Sequence, residues 1–225
     1  MLQSLESILF PQVCDVCGNL TVARRMLCDY CIEHAFEPAN PEHEASCPGH
    51  IPPDFITVQD ALWKYDKKGH LQSLLIKLKY NGQRDVGRQC GKLLGRKLLY
   101  SQWYDSNANW KLVPVPLHWL KYWKRGYNQA TEIAIGFSEE TEIPLSREKT
   151  VQRNKFTRTQ TGFSLERRLK NIQGAFTVSN IEDLRGHNVI IIDDVFTTGA
   201  TTYQLAENIF SIGVNGIFIY TIGVA

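Results

Sequence analysis

The stretch Val189-Ile-Ile-Ile-Asp-Asp-Val-Phe-Thr-Thr-Gly-Ala-Thr-Thr202 passes from four aliphatic residues, through two adjacent aspartates, into a short loop rich in threonine. A run that is apolar on both alternating faces belongs in the buried centre of a sheet. Ligands of open α/β sheets lie beyond the carboxyl ends of strands, which is where Asp193 and Asp194 fall. Two carboxylates at that position can accept hydrogen bonds from vicinal ribose hydroxyls, directly or through Mg²⁺ and its waters. The loop opens a helix, whose unpaired N–H groups and dipole attract a phosphate. Gly199 lets the backbone come close to the anion, and the hydroxyls of Thr197, Thr198 and Thr201 add donors. The expected phosphate cradle is therefore Thr197, Thr198, Gly199, Ala200 and Thr201. A pentose 5-phosphate suits both halves of the segment. An ordinary strand–turn–helix with a capping threonine explains the loop but not the paired acids beside it.

Outward from this segment, strand-like and helix-like stretches alternate. Strands are expected at Ala61–Tyr65, Leu112–Val115, Asn188–Ile192 and Gly216–Val224, with a further short one at Ile143–Leu145. Helices are expected at His70–Tyr80, Gly87–Tyr100, Tyr127–Phe137 and Ala200–Ile212. Such alternation implies βαβ crossovers and a mostly parallel sheet with flanking helices, an α/β fold. Residues Pro38–Pro53 hold five prolines and two histidines without periodicity, which is linker chemistry. The expected division is a module and linker over 1–54 and an α/β domain over 55–225.

The N-terminal part carries two Cys-x-x-Cys pairs, Cys14/Cys17 and Cys28/Cys31. Each pair can present two thiolates from a tight turn, and four thiolates make the tetrahedral set preferred by structural Zn²⁺. A closed S4 shell leaves no place for substrate, so the expected role is structural. Disulfides are the alternative. Cys47 and His50 form a separate Cys-x-x-His pair with His43 nearby, but lack further ligands. No role is assigned to Cys90.

The chain has 225 residues, 43% hydrophobic and 21% charged, with a net charge of +2, so its overall charge selects no partner. No apolar run approaches the ~20 residues of a membrane span. Met1–Phe10 contains Glu6 and lacks a basic start, which argues against a signal peptide and makes the cytoplasm the expected location. Neither GxxxxGK[ST] nor GxGxxG occurs, which removes support for P-loop ATPase and dinucleotide-binding readings.

The Val189–Thr202 segment resembles the phosphoribosyl pyrophosphate (PRPP) motif of type I phosphoribosyltransferases. Further segments narrow the resemblance: Lys79-Tyr-Asn-Gly82 before Arg84, Val113-Pro-Val-Pro116, the basic stretch Lys121–Arg125 leading into Gly126-Tyr-Asn-Gln129, and Gly174-Ala-Phe176. With the four cysteines in front, this order resembles the ComF/GntX family over nearly the whole chain. The resemblance implies a type I phosphoribosyltransferase-like domain behind a zinc module, in proteins linked to natural transformation and the handling of imported single-stranded DNA. It implies PRPP or a related ligand, with DNA and DNA-processing proteins as further partners.

Beside that resemblance, a pyrophosphate needs cations opposite the 5-phosphate loop. Lys79, Arg84 and Arg125 are the expected ones, with Tyr80 in the same run. Arg153, Arg158, Gln160, Arg168 and Asn171 are expected hood or DNA contacts. Trp119, Tyr122, Trp123 and Tyr127 interleave with Lys121, Lys124 and Arg125, a pattern suited to stacking bases and tracking phosphates. Packing of Trp119 and Trp123 on the core is the alternative. If phosphoribose is transferred, Asp193 and Asp194 are the catalytic pair that orients the sugar. No general base is evident.

Overall fold

The computed structural model describes residues 12–21, 25–39, 52–80, 82–154 and 174–225. Cys47, His43, His50, Arg158, Gln160, Arg168 and Asn171, and the Met1–Phe10 reading, lie outside them.

Four strands form one sheet in the order β1-β6-β5-β2, with β1 at Val58–Lys64, β2 at Trp110–Pro114, β5 at Asn188–Phe196 and β6 at Gly216–Val224. Every pairing in it is parallel, as the βαβ reading requires. β5 and β6 are central, and all nine residues of β6 are buried. A two-stranded antiparallel ribbon, β3 (Val151–Arg153) with β4 (Phe176–Val178), stands apart from the sheet. Ile143–Leu145 contributes only a single parallel bridge, Leu145 to Leu112, on the edge of β2 away from β5.

The helices are α1 (Asp29–His34), α2 (His70–Tyr80), α3 (Arg84–Leu99), α4 (Trp119–Arg125), α5 (Gln129–Thr141) and α6 (Ala200–Phe210). Alternate residues of β5 feed two cores. Ile190 and Ile192 pack with the α2, α3 and α5 side chains Leu74, Leu94 and Phe137. Val189 and Ile191 pack with Leu205 and Ile209 of α6 on the opposite face. The α/β class with helices on both faces is therefore the observed one.

Helices α3 and α5 approach closely because each turns glycines toward the other. A Cβ on Gly91 would lie 2.0 Å from the Ile133 carbonyl oxygen, and one on Gly136 would lie 2.0 Å from that of Arg88. Gly87 likewise lies within α3, so the helix begins three residues before the expected start.

The cysteine module sits against this frame. Cys14, Leu27, Cys31 and Phe36 share a core with Trp63 and Leu71, and Phe36 stacks on Trp63 with centroids 4.3 Å apart. The Gln89 side chain on α3 accepts from the N–H groups of Met26 and Leu27 at 2.8 and 2.9 Å and donates to the Leu27 carbonyl at 2.8 Å. Lys77 of α2 pairs with Asp15 at 2.7 Å. Among the described residues, no helix is long and apolar enough to cross a membrane.

Candidate functional site

β5 ends in the sequence that opened the analysis, and its hydrogen bonding runs past the acids: Asp193 pairs with Thr221 and Val195 with Gly223 of β6. Asp193 and Asp194 are half-buried at the carboxyl end of the sheet. The backbone N–H of Asp194 donates to Asp193 Oδ1, and that of Val195 to Asp194 Oδ1, both at 2.8 Å. The chain then turns through Gly199, whose φ of 70° is left-handed, into α6. A Cβ there would meet the rings of Phe196 and Tyr203 at 2.6 Å, so glycine is required on two counts. No side chain caps α6 at Gly199, which leaves its first-turn N–H groups facing the loop. Thr202 is buried and bonds back to the Gly199 carbonyl at 3.1 Å, whereas Thr197 is exposed and Thr198 and Thr201 are partly so.

Cations surround the acids. Lys79 Nζ, at the end of α2, lies 2.6 Å from Asp194 Oδ2. Burial alone would lower the lysine's pKa, but the Asp194 carboxylate outweighs it and holds the ammonium above its ordinary value. Asp193 is pushed up to about 7, first by burial and then by the neighbouring Asp194 charge, with Lys79 and Arg153 opposing. The Arg125 guanidinium lies over the Tyr80 ring, 5.4 Å from its centroid, which joins α4 to the end of α2. Arg153 on β3 lies 5.3 Å from the centroid of Phe176, and burial lowers its pKa while Asp193 raises it.

Lys79, Tyr80, Arg125 and Arg153 are thus gathered around the acidic pair. Arg84 is not. It reaches Glu132 at 3.8 Å, the Gly126 carbonyl at 3.5 Å and the Tyr127 ring at 4.9 Å, a bracing position between α3 and the α4–α5 turn.

Two neighbours of Arg153 were not singled out from sequence as part of the site. Lys121 has its pKa lowered by burial and then by Arg153, Arg125 and Lys79, which places it among the other cations. His118 is buried, and burial with Arg153 and Lys121 nearby holds its imidazole below the usual value. Its Nδ1 accepts from the Leu120 N–H at 3.3 Å and caps α4. Lys121 was visible only as one charge in an aromatic stretch. Nothing local marks His118, because its position depends on β2 lying beside β5.

The aromatic stretch itself forms α4, a helix with no buried residue. Trp119 is 66% and Trp123 84% exposed, so neither packs on the core.

At the other end of the molecule, the thiol sulfurs of Cys14, Cys17, Cys28 and Cys31 all lie within 4.8 Å of one another. Cys17 and Cys28 are 3.8 Å apart, the spacing of two sulfurs bound ~2.3 Å from one tetrahedral ion. Backbone N–H groups of Cys28 and Cys31 point at Cys14 and Cys28 Sγ at 3.4 Å, as donors to thiolates do. The donor set fits a metal such as zinc.

A parallel sheet with helices on both faces, an acidic pair at the end of a central strand and an open helix start beyond it define a phosphoribosyltransferase-like α/β domain, here joined to a four-cysteine module. The chain is 30% identical over 157 residues to Competence protein F of Haemophilus influenzae, a match covering 67% of this chain and 66% of that one. It is 25% identical over 214 residues to the DNA utilization protein YhgH of Escherichia coli K12, covering 92% and 88% respectively. No family model matches. The chain belongs to the ComF family. Among solved structures, it is similar to the glutamine PRPP amidotransferase of B. subtilis complexed with ADP and GMP, at a TM-score of 0.41 and 18% identity, over 65% of this chain and 30% of that one.

Proposed function

We propose that this chain binds PRPP and acts in DNA uptake, handling internalised single-stranded DNA in the cytoplasm. The observation that carries the ligand reading is the pairing of Asp193 and Asp194 with the uncapped start of α6, ringed by Lys79, Lys121, Arg125 and Arg153. A diol on the acids and a 5-phosphate on Thr197–Thr201 leave the pyrophosphate facing the cations, whose charge it needs. Asp194 is already paired with Lys79, so a ligand cation or diol has to compete for that carboxylate. Mg²⁺ brought with the pyrophosphate supplies additional charge neutralisation at the acids.

The DNA part of the proposal rests on the printed names of the relatives and on α4. Exposed Trp119, Tyr122 and Trp123 alternate with Lys121, Lys124 and Arg125, so bases can stack while phosphates are neutralised. Residues 1–54 are proposed as a zinc module and linker, and 55–225 as the ligand-binding domain. Zinc in the S4 site would be structural, since its four positions are taken by Cys14, Cys17, Cys28 and Cys31.

A second reading is transfer of phosphoribose to an acceptor, with Asp193 and Asp194 orienting the sugar and the cations stabilising the leaving pyrophosphate. The half-buried cation ring favours it, because leaving-group charge is what such a ring stabilises. Calorimetric titration of PRPP with Mg²⁺ into the wild type and into Asp193→Asn/Asp194→Asn tests the main proposal. Binding should fall at least ~100-fold in the double variant. Unchanged affinity there would overturn it. Pyrophosphate release in the presence of candidate bases or single-stranded DNA separates binding from transfer.

A further inference from the structure

Helix α2 ends in a turn that carries both Lys77 and Lys79. Residues two apart on a helix point about 200° away from each other, so the two lysines leave opposite sides of that turn. Lys79 reaches Asp194 at 2.6 Å. Lys77 reaches the cysteine module, where its ammonium donates to Asp15 Oδ1 at 2.7 Å and to the Asp15 carbonyl at 3.1 Å. Asp15 stands between Cys14 and Cys17 in the first Cys-x-x-Cys pair. Its side chain is only 11% exposed, and its other oxygen, Oδ2, is buried with no hydrogen-bond partner among the described residues. Lys77 therefore supplies the charge that balances this carboxylate.

The module grips both sides of the turn that holds Lys79. Helix α2 leads into that turn and α3 leaves it at Arg84. The first Cys-x-x-Cys pair holds α2 through Asp15 and Lys77, and the segment before the second holds α3 through Met26, Leu27 and Gln89. The two grips are joined, because the Asp15 N–H donates to the Met26 carbonyl at 2.8 Å. Between the lysines, the Tyr127 hydroxyl donates to the Leu78 carbonyl and clasps the turn from the side of α5. Lys79 is thus placed by the cysteine module as well as by Asp194.

That placement sets how Lys79 divides itself between two anions. Without a ligand it neutralises Asp194, whereas a bound pyrophosphate draws the same ammonium toward itself. A shift of the α2 end changes which of the two it meets. The knuckles can hold that end firmly only when their four sulfurs are closed on an ion.

We infer that Asp15 and Lys77 are positioning residues for Lys79, and that they couple metal occupancy of the four cysteines to ligand affinity at the acids. The inference deepens the phosphoribose reading, on which its ligand arm rests, by giving that site a regulator. Linkage makes the coupling reciprocal: the factor that the metal adds to ligand affinity, the ligand adds to metal affinity.

Amide hydrogen exchange of the zinc-loaded full chain, followed by mass spectrometry, reads the placement without any ligand. Lys77→Met should speed exchange at the end of α2 at least ~10-fold while leaving β6 unchanged, which is local loosening rather than global destabilisation. Asp15→Asn should match it, and Lys77→Arg, which keeps a cation for Asp15, should restore the wild-type rate. Calorimetry should show PRPP with Mg²⁺ binding zinc-loaded Lys77→Met about 5-fold more weakly. In competition with a chelator, saturating PRPP should strengthen zinc retention by the wild type and not by Lys77→Met. The inference is overturned if α2 exchanges alike in the wild type, Lys77→Met and Asp15→Asn, or if Lys77→Arg is as loose as Lys77→Met. It is equally overturned if PRPP binds and leaves zinc retention unchanged. A wild type that ignores PRPP would sink the phosphoribose reading, and the exchange measurement alone would then decide whether the module places Lys79.

Discussion

The cysteine module and the end of β5 solve opposite problems with polar groups. In the module, four sulfurs converge within 4.8 Å and their neighbours' N–H groups turn inward, so the site is complete without any partner but an ion. At the end of β5, two carboxylates lie side by side, Lys79 pairs with one of them, and the start of α6 is left uncapped. The first arrangement is closed and contributes to folding. The second holds unspent polar capacity, which costs stability and is useful only when a ligand arrives.

The largest effect expected from this contrast is loss of the module. Cys14→Ser/Cys31→Ser should abolish zinc retention, read by metal analysis of the purified chain. It should lower stability by several kcal/mol, because metal binding free energy is folding free energy in such modules. A variant with unchanged melting would show the module to be an ornament on the domain. The acid pair should behave in the opposite sense. Asp193→Asn/Asp194→Asn relieves the repulsion of adjacent half-buried charges, so its melting temperature should stay level or rise even as PRPP binding is lost. A fall of ~2 kcal/mol or more would place these acids in the structural class after all.

A third change tests how the two regions communicate. Gln89→Ala strands the Met26 and Leu27 N–H groups between the module and α3, at a cost of about 2 kcal/mol in stability by denaturant titration. Zinc should remain bound. The smallest effect is expected at Asp183, which braces the segment before β3. Burial would raise its pKa, but the Arg147 N–H, the Thr150 hydroxyl and Lys111 outweigh it and hold the carboxyl below its ordinary range. Its folded pKa is therefore depressed. The stabilisation is present above the usual aspartate value of about 3.9 and is lost as pH falls through the depressed one. Asp183→Asn should cost about 1 kcal/mol near neutrality, and less as the pH drops below about 4.

Much of this was legible in the chain because the informative signals are local. β6 runs over Gly216–Val224 and α2 over His70–Tyr80, as periodicity and apolar runs indicate. The four-cysteine spacing predicts its own cluster. What escaped depends on distant partners. The helix expected from Gly87 begins three residues earlier, at Arg84, and the reason Gly91 is tolerated within it, the close approach of α5, is not visible locally. The β3 ribbon has strands of three residues, too short for alternation to show, so Arg153 was expected at the site but the ribbon that carries it was not. Arg84 follows Lys79-Tyr80 in the chain, and its contact with Glu132 at 3.8 Å depends on a residue far along it. The cation ring around the acids was half visible: Lys79 and Arg125 stand in recognisable runs, whereas Lys121 joins them only through the fold.

The order of the sheet also has a consequence for how the chain is assembled. β1 forms its parallel ladder with β6 alone, so the earliest strand finds its neighbour only after the rest of the domain has been made. During synthesis at ~5–20 residues per second, the hydrogen-bonding edge of β1 and its buried Ala61 and Trp63 wait without that partner. Non-local pairing of this kind slows folding and leaves an interval in which the nascent chain is open to capture by chaperones or to association with its own copies.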